Sequence, residues 1–390
     1  MKKLLFILVI IFLSLSSFAG RLIEADDSNL LFIDTIDGTK IGMGSFINIS
    51  PKGVCFGVIQ KMSKDKSMSF LATFGSVDEV HFIDVVKDEN GDFIVLGVAS
   101  EGSFGEGDLK GIKSYGDDDI IFIRYDKSLK VKDVQKFGSD AKDYASQIIR
   151  TSSGKFVIVG RTTLKDGIKS NAFIASLDKN FKLENIFEFK GSFDKNKDAD
   201  RTDFYKVIEN KEHDFLVLGN TIDGGNSTEE KTFIIKLSKN FNVKDKRAYG
   251  LKNNIIRLTD IVEFPQGGYL TVGWTTGDKQ KGYVMELTPG LNKLSSFDFM
   301  PTYDRVQALH NSLYAIEPYN NYRAYIISGV AVWSKGESSD YYTLYLPYDG
   351  FKDLALYPKL KGKSHFLDNN ILYVAGYDEE DRLVFVSLGE

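Results

Sequence analysis

Asp84, Gln147, Lys206 and Asp260 are the residues whose placement first suggests chemistry. Each lies nine residues before the first aromatic of an apolar run, counting back from Phe93, Phe156, Phe215 and Tyr269. Their neighbours Val85, Ile148, Val207 and Ile261 are apolar. Gln307, in Val306-Gln307-Ala308-Leu309, is the matching residue of a further run. Polar groups recurring at one strand position would ring an axis. There they would hold a polar ligand or an ion, or simply line water. Asp84 and Asp260 are the acids available for a glycosidase-like pair, one carboxyl protonated and one ionised.

Two other groups of residues suggest binding. In DKNKDADRTD, Asp194, Asn196, Asp198 and Asp200 alternate as the oxygen ligands of a calcium loop do. Ala199 stands where such a loop expects glycine, and Tyr205 where it expects Glu, so a solvated loop is the plainer reading. Aromatic side chains crowd the segment from Tyr314 to Tyr348. Trp333 and Tyr341, with Trp274 upstream, are the candidates for rigid amphipathic contacts to a partner or a sugar face.

Other chemistries lack their parts. His81, His213, His310 and His365 are scattered, with no metal-ligand spacing. Cys55 is the only cysteine and sits in the apolar GVCFGVI, a setting for a buried thiol rather than a reactive one. No Gly-x-Ser-x-Gly and no phosphate loop is present. These absences leave the question of catalysis open, and no cofactor is called for beyond the calcium reading.

The elements that must position these residues come from a repeat. GKFVIVGRTT from Gly154 is matched by GDFIVLGVAS, HDFLVLGNTI and GGYLTVGWTT. Glycines ending such runs fall at 57, 97, 160, 219, 273, 329 and 376, at intervals of 40 to 63 residues. Periods of this size mark stacked repeats. The runs are short, β-branched and aromatic, which is strand chemistry. One repeat, Asp143 to Phe189, reads as four antiparallel strands joined by tight turns. The expectation is an all-β, seven-bladed β-propeller of four-stranded antiparallel blades. LLFIDTI, Leu30 to Ile36, is an orphan strand placed to complete the three-stranded last blade, and closure would remove open sheet edges.

GGYLTVGWTTG followed by KGYVMELTPG, and GKFVIVGRTT followed by NAFIASLDKN, resemble the Gly-Gly-Tyr…Gly-x-Thr and Asp-x-φ-φ-φ-Lys-Leu-Asp blades of exported bacterial β-propeller repeat proteins. The resemblance is good from about Phe82 to Phe299 and implies architecture, not activity. The Ser-x-Asp-x-Gly-x-x-x-Trp box of sialidases, the Trp-docking pattern of quinoprotein dehydrogenases and the Trp-Asp endings of WD-repeats are absent.

The first residues set the compartment. MKKLLFILVIIFLSLSSFAG has a basic start, a short apolar run and Ser17-Phe18-Ala19, the pattern of a signal peptide cleaved after residue 19. Residues 20–390 are then one exported propeller domain, in the periplasm, on the surface or in the medium. Removing Lys2 and Lys3 from 49 basic residues leaves 47 against 54 acidic, a net charge of −7 with no basic block. That excludes a nucleic-acid footprint. No later apolar stretch reaches membrane-spanning length. The second-to-third strand loops are long and unequal, and variable loops on a rigid scaffold are where binding concentrates. The expectation is a monomeric binding scaffold whose long-loop face takes an envelope or extracellular protein, or a polysaccharide. The alternatives are a carbohydrate hydrolase or lyase at the axis, and a structural subunit of an envelope complex.

Overall fold

A computed structural model describes residues 68–164, 167, 169–191, 199–223, 230–250, 254–319, 321–333, 338–347 and 349–358. Elsewhere it describes the strands at 8–11, 31–34, 40–47, 55–62, 361–368, 371–377 and 383–388. Among the described residues there is no α-helix, only 3-10 turns at Glu101–Ser103 and Gly107–Leu109. The chain forms two compact units. The first comprises Met1–Ile158, Leu177–Lys182 and Leu360–Glu390, and the second Val159–Ser176 and Leu183–Lys359.

The strands run as follows. β1 is Leu8–Ile11. The first repeat is β2 (Leu31–Asp34), β3 (Lys40–Ile47), β4 (Cys55–Met62) and β5 (Met68–Phe74). The second is β6 (Val80–Lys87), β7 (Phe93–Ser100), β8 (Asp118–Tyr125) and β9 (Val131–Phe137). The third is β10 (Lys142–Arg150), β11 (Phe156–Thr163), β12 (Ser170–Leu177) and β13 (Leu183–Phe189). β14 (Ala199–Glu209), β15 (Phe215–Asp223), β16 (Glu230–Leu237) and β17 (Val243–Tyr249) follow. Next come β18 (Ile256–Glu263), β19 (Tyr269–Thr275), β20 (Lys281–Leu287) and β21 (Lys293–Phe299). Two short strands, β22 (Thr302–Tyr303) and β23 (Val306–Gln307), precede β24 (His310–Tyr319), β25 (Ala324–Val332), β26 (Ser338–Leu346) and β27 (Gly350–Pro358). β28 (Lys361–Asp368), β29 (Ile371–Tyr377) and β30 (Leu383–Leu388) end the chain.

Antiparallel meanders dominate both units. In the first, β2-β3-β4-β5 and β6-β7-β8-β9 are successive neighbours, and β28-β29-β30 is extended by β1. In the second, β14 to β17, β18 to β21 and β24 to β27 each run in chain order. First strands of neighbouring sheets adjoin: β6 with β10, β14 with β18, and β18 with β24.

One expectation is corrected here. LLFIDTI does not complete the last sheet; β2 pairs with β3, Leu31 opposite Met43. Five residues containing Asp37-Gly38 join them, and a connection that short favours an antiparallel neighbour over a distant edge. The strand beside β30 is β1, Leu8 opposite Ser387, inside the expected leader.

The turns explain the repeat. Four third-to-fourth turns, at Asp126, Asp178, Ser238 and Thr288, open on a residue whose side chain takes backbone N–H groups: Asp178 Oδ1 accepts from Asn180 (2.8 Å) and Lys182 (2.9 Å), and Ser238 Oγ accepts from Asn242 (3.1 Å). The fourth turn residue has positive φ, yet it is Leu129, Phe181, Phe241 or Leu291 rather than glycine. Its side chain plugs the sheet: the Phe181 ring stacks on Phe122 at 5.0 Å and tilts against Phe156 at 5.4 Å. Apolar packing offsets the backbone strain, which is modest for one left-handed residue.

Candidate functional site

The recurrent polar position lies at a β-bulge in the first strand of a sheet. Register shifts fall between Phe82 and Asp84, Phe204 and Lys206, Leu258 and Asp260, and Leu313 and Ala315. A bulge leaves backbone N–H groups without ladder partners, and the carboxylates take them. Asp84 Oδ1 accepts from Val85 N (2.8 Å), and its Oδ2 from Ile148 N (2.9 Å) on the neighbouring β10. Asp260 repeats this in the second unit, with Ile261 N at 2.8 Å and Ile316 N of β24 at 3.1 Å. These acids clasp adjoining strands. Gln147 is half-buried on β10.

Lys206 and Asp260 meet, Nζ to Oδ1 at 2.8 Å, with Asp260 almost wholly buried. The sequence reading missed their companion, Glu317, two residues past the bulge of β24. Burial, and then the charge of Asp260, push its carboxyl up to about 7, while Lys206 pulls the other way. Glu317 is the only acid in β24, and that was the only sequence signal.

Gln307 needs correction. It lies exposed in β23, opposite Thr302, outside the first strand of its sheet. The residue after that bulge is Ala315. The inserted hairpin displaced the count. Tyr341 needs correction as well. It is fully buried, its hydroxyl donates to Asn311 Oδ1 at 2.6 Å, and burial raises its pKa well above the ordinary value. Trp333 is half-buried and donates Nε1–H to Ser339 Oγ at 2.7 Å. Trp274 is half-buried on β19. Asp194, Asn196 and Asp198 lie outside the described residues, as does the side chain of Asp200. No group of three or more His, Cys, Asp or Glu among the described residues is placed to hold a metal ion.

The long-loop end is partly visible. In the first unit, the segment after β7 folds back on the chain: Asp108 N–H donates to Gly75 O (3.1 Å) and Gly75 N–H to Asp108 Oδ2 (2.9 Å). Leu109 is buried beneath it. In the second unit, β22 and β23 form a hairpin whose central residues, Asp304 and Arg305, both have positive φ, as a type I′ turn requires. Leu309 N–H donates to Val332 O (2.7 Å), which fixes the hairpin root at the end of β25, where the second-to-third loop begins. The hairpin shows Tyr303 and Val306 to solvent, 51 % and 47 % exposed, beside Leu309 at 41 %.

A pocket of ≈ 280 Å³ lies at the opposite, short-turn end of the first unit. Its buried charges are already matched: Arg124 pairs with Asp88, and Lys132 with Asp92 at 2.7 Å. Arg124 also lies over the Phe181 ring at 4.9 Å. This is packing chemistry.

No protein-family model matches the chain, and neither does any curated protein. Solved structures do. The β-propeller domain of the Trilobed protease from Pyrococcus furiosus, described as having an open velcro topology, is 12% identical over 93% of this chain and 94% of that one, with a TM-score of 0.50. The acylaminoacyl peptidase of Pyrococcus horikoshii is 11% identical, covering 90% of this chain and 49% of that one, with a TM-score of 0.50. A protein of unknown function from Dyadobacter fermentans is 10% identical over 82% and 93%, with a TM-score of 0.48. At their identities the two Pyrococcus likenesses show the fold alone: this chain has a β-propeller fold.

Proposed function

We propose that the protein is an exported, seven-bladed β-propeller serving as a binding scaffold, and that the long-loop end of its fifth-to-sixth repeat takes a protein partner. The hairpin β22–β23 carries this reading. It is an insertion between two repeats that shows Tyr303 and Val306, with Leu309 beside them, to solvent on a rigid turn. Anchors of this kind concentrate binding energy when a partner buries them. Seven groups of strands along the chain, the last of them the three strands β28 to β30 once the leader is removed, support the blade number. The leader pattern supports export.

The hydrolase reading is weaker. Glu317 has the raised pKa expected of a general acid. Asp260, its companion, already binds two backbone N–H groups and the Lys206 ammonium, so acting as base or nucleophile means leaving all three.

The test is site-specific photo-crosslinking in the producing cells, with the reactive group at Tyr303 or, as control, at Asn292 in a turn at the other end of the neighbouring sheet. One protein crosslinked from position 303 and not from 292, and lost on combining Val306→Ser with Leu309→Ser, is the expected outcome. Equal crosslinking from both positions sinks the proposal.

A further inference from the structure

Seven residues before the third-to-fourth turns at Asp126, Asp178, Ser238 and Thr288 the chain carries Asp119, Asn171, Lys231 and Lys281. Four residues before Gln147, Lys206, Asp260 and Ala315 it carries Asp143, Thr202, Ile256 and Asn311. These two positions meet where a third strand adjoins the next first strand. In the second unit, Thr202 serves this joint by accepting from Ala172 N (2.8 Å) and donating to Ser170 O (3.0 Å). Of these four joints, only that of β8 with β10, in the first unit, brings an acid to both positions.

That joint is negative and buried. Asp119 is 0 % exposed and Asp143 2 %. Asp119 Oδ2 accepts from Tyr115 N (2.6 Å); Asp143 Oδ2 accepts from Ser139 N (2.6 Å) and from the Ser139 hydroxyl (2.9 Å). Asp119 Oδ1 is buried and has no hydrogen-bond partner. The two acids converge on one point: a Cβ on Gly138 would lie 2.5 Å from Asp119 Oδ1 and 3.0 Å from Asp143 Oδ2. The nearby cations are committed elsewhere. Lys136 reaches Lys113 O and lies 3.2 Å from the Tyr115 ring centroid. Lys142 faces Asp117 (3.9 Å) and Asp118 (3.8 Å), and Tyr144 donates to Asp118 at 2.7 Å. Burial first, and the charge of Asp143 as well, raise the Asp119 carboxyl, against the pull of Lys136 and the backbone donors.

We propose that Asp119 and Asp143 are the side-chain half of a calcium site, completed by backbone oxygens of the two enclosing loops and by water. The donors are all oxygen, which selects a hard cation, and an irregular loop pair suits the loose six-to-eightfold shell of calcium better than the strict octahedron of magnesium. Two carboxylates place the site in the weak class, with Kd of about 0.1–1 mM. Bound calcium would pin the root of the long segment after β7, since Glu101 N–H donates to Asp117 O (2.5 Å) just before β8.

The test is thermal melting of the full chain, stripped with chelator and then titrated with calcium or magnesium at neutral pH. Asp119→Asn and Asp143→Asn run in parallel, as does terbium luminescence sensitised by Tyr115 and Tyr144. Calcium should raise the wild-type Tm by several degrees with a midpoint near ~1 mM, magnesium far less. Each Asn variant should melt, without metal, at or above the stripped wild type, because the repulsion is gone, and should lose both the calcium shift and the terbium signal. An unchanged wild-type Tm with calcium overturns the site, as does a calcium shift that survives in both variants. A wild type that instead gains stability only on acidification, matched by Asp119→Asn without metal, means that the pair shares a proton, and likewise overturns it.

Discussion

Glu317 sits among groups that make its charge expensive. Its folded pKa, about 7, lies above the 4.5 of an ordinary glutamate. Between those values the folded protein binds the extra proton, so stability falls as pH rises through the window, and the deficit is complete above pH 7. Glu317→Gln should therefore raise the Tm at pH 8, by an amount corresponding to roughly 1–3 kcal/mol. The gain should vanish near pH 4, and melting curves at the two pH values check it. A gain that persists at pH 4 would assign the effect to packing. Tyr341 is the opposite case, a side chain whose polar end is satisfied. Tyr341→Phe removes its bond to Asn311 and should lower stability by about 1 kcal/mol, whereas Tyr341→Ala opens a cavity at about 3–5 kcal/mol. Denaturant melts of the two variants separate these terms. Neither side chain's burial was legible in the sequence. In SDYYTLYLP, tyrosines occupy both phases of a period-two strand, so the residue types do not say which phase faces inward. Close approach to Gly329 decides it: a Cβ there would lie 2.5 Å from the Tyr341 hydroxyl.

At the scale of elements, the repeat was readable because turns and bulges each demand a particular residue. Gly91, Gly154 and Gly267 have positive φ in the first-to-second turns, the conformation glycine adopts without strain. The glycines within the second strands answer a different demand. Gly273 lies opposite the bulge of β18, where a Cβ would strike the carbonyl oxygen of Arg257. Backbone cannot swing aside as a side chain can, so Gly273→Ala should cost several kcal/mol, on the order of an overpacked core. Gly105→Ala, with open space about it, should cost only the strain of its positive φ, about 1 kcal/mol. Urea titrations of the pair test this, and equal losses would refute the close-approach account. The acids of the bulge were legible as a periodic polar position, but their role was not. Nothing in the order of residues says that Asp84 and Asp260 spend their oxygens on neighbouring backbone. Gln307 was misplaced because the β22–β23 insertion shifts the count by a hairpin, which only strand pairing exposes.

At the scale of the molecule, the described residues of the second unit share no single core. Apolar clusters form where neighbouring sheets face each other: Leu216, Leu218 and Ile234 pack with Leu258, Tyr269 and Met285, while Leu270 and Val272 pack with Leu313, Tyr325 and Tyr341. Apolar contact is non-directional and fixes no register between sheets; the polar joints supply it. Thr232, wholly buried, donates to Ile256 O (2.8 Å) and accepts from Leu258 N (3.3 Å), tying β16 to the first strand of the next sheet. Thr232→Val keeps the volume and leaves both backbone groups unpaired, at about 1–3 kcal/mol each if no water enters. In a chain of repeats that each touch only their neighbours, such a loss is felt locally before it is felt globally. Hydrogen exchange should therefore quicken at Leu258 and along β18 in the variant, while the amides of β25 and β26, one sheet further on, keep their protection. If all of these amides lose protection together, the sheets open as one cooperative body, and the clusters rather than the joints set the order in which the fold comes apart.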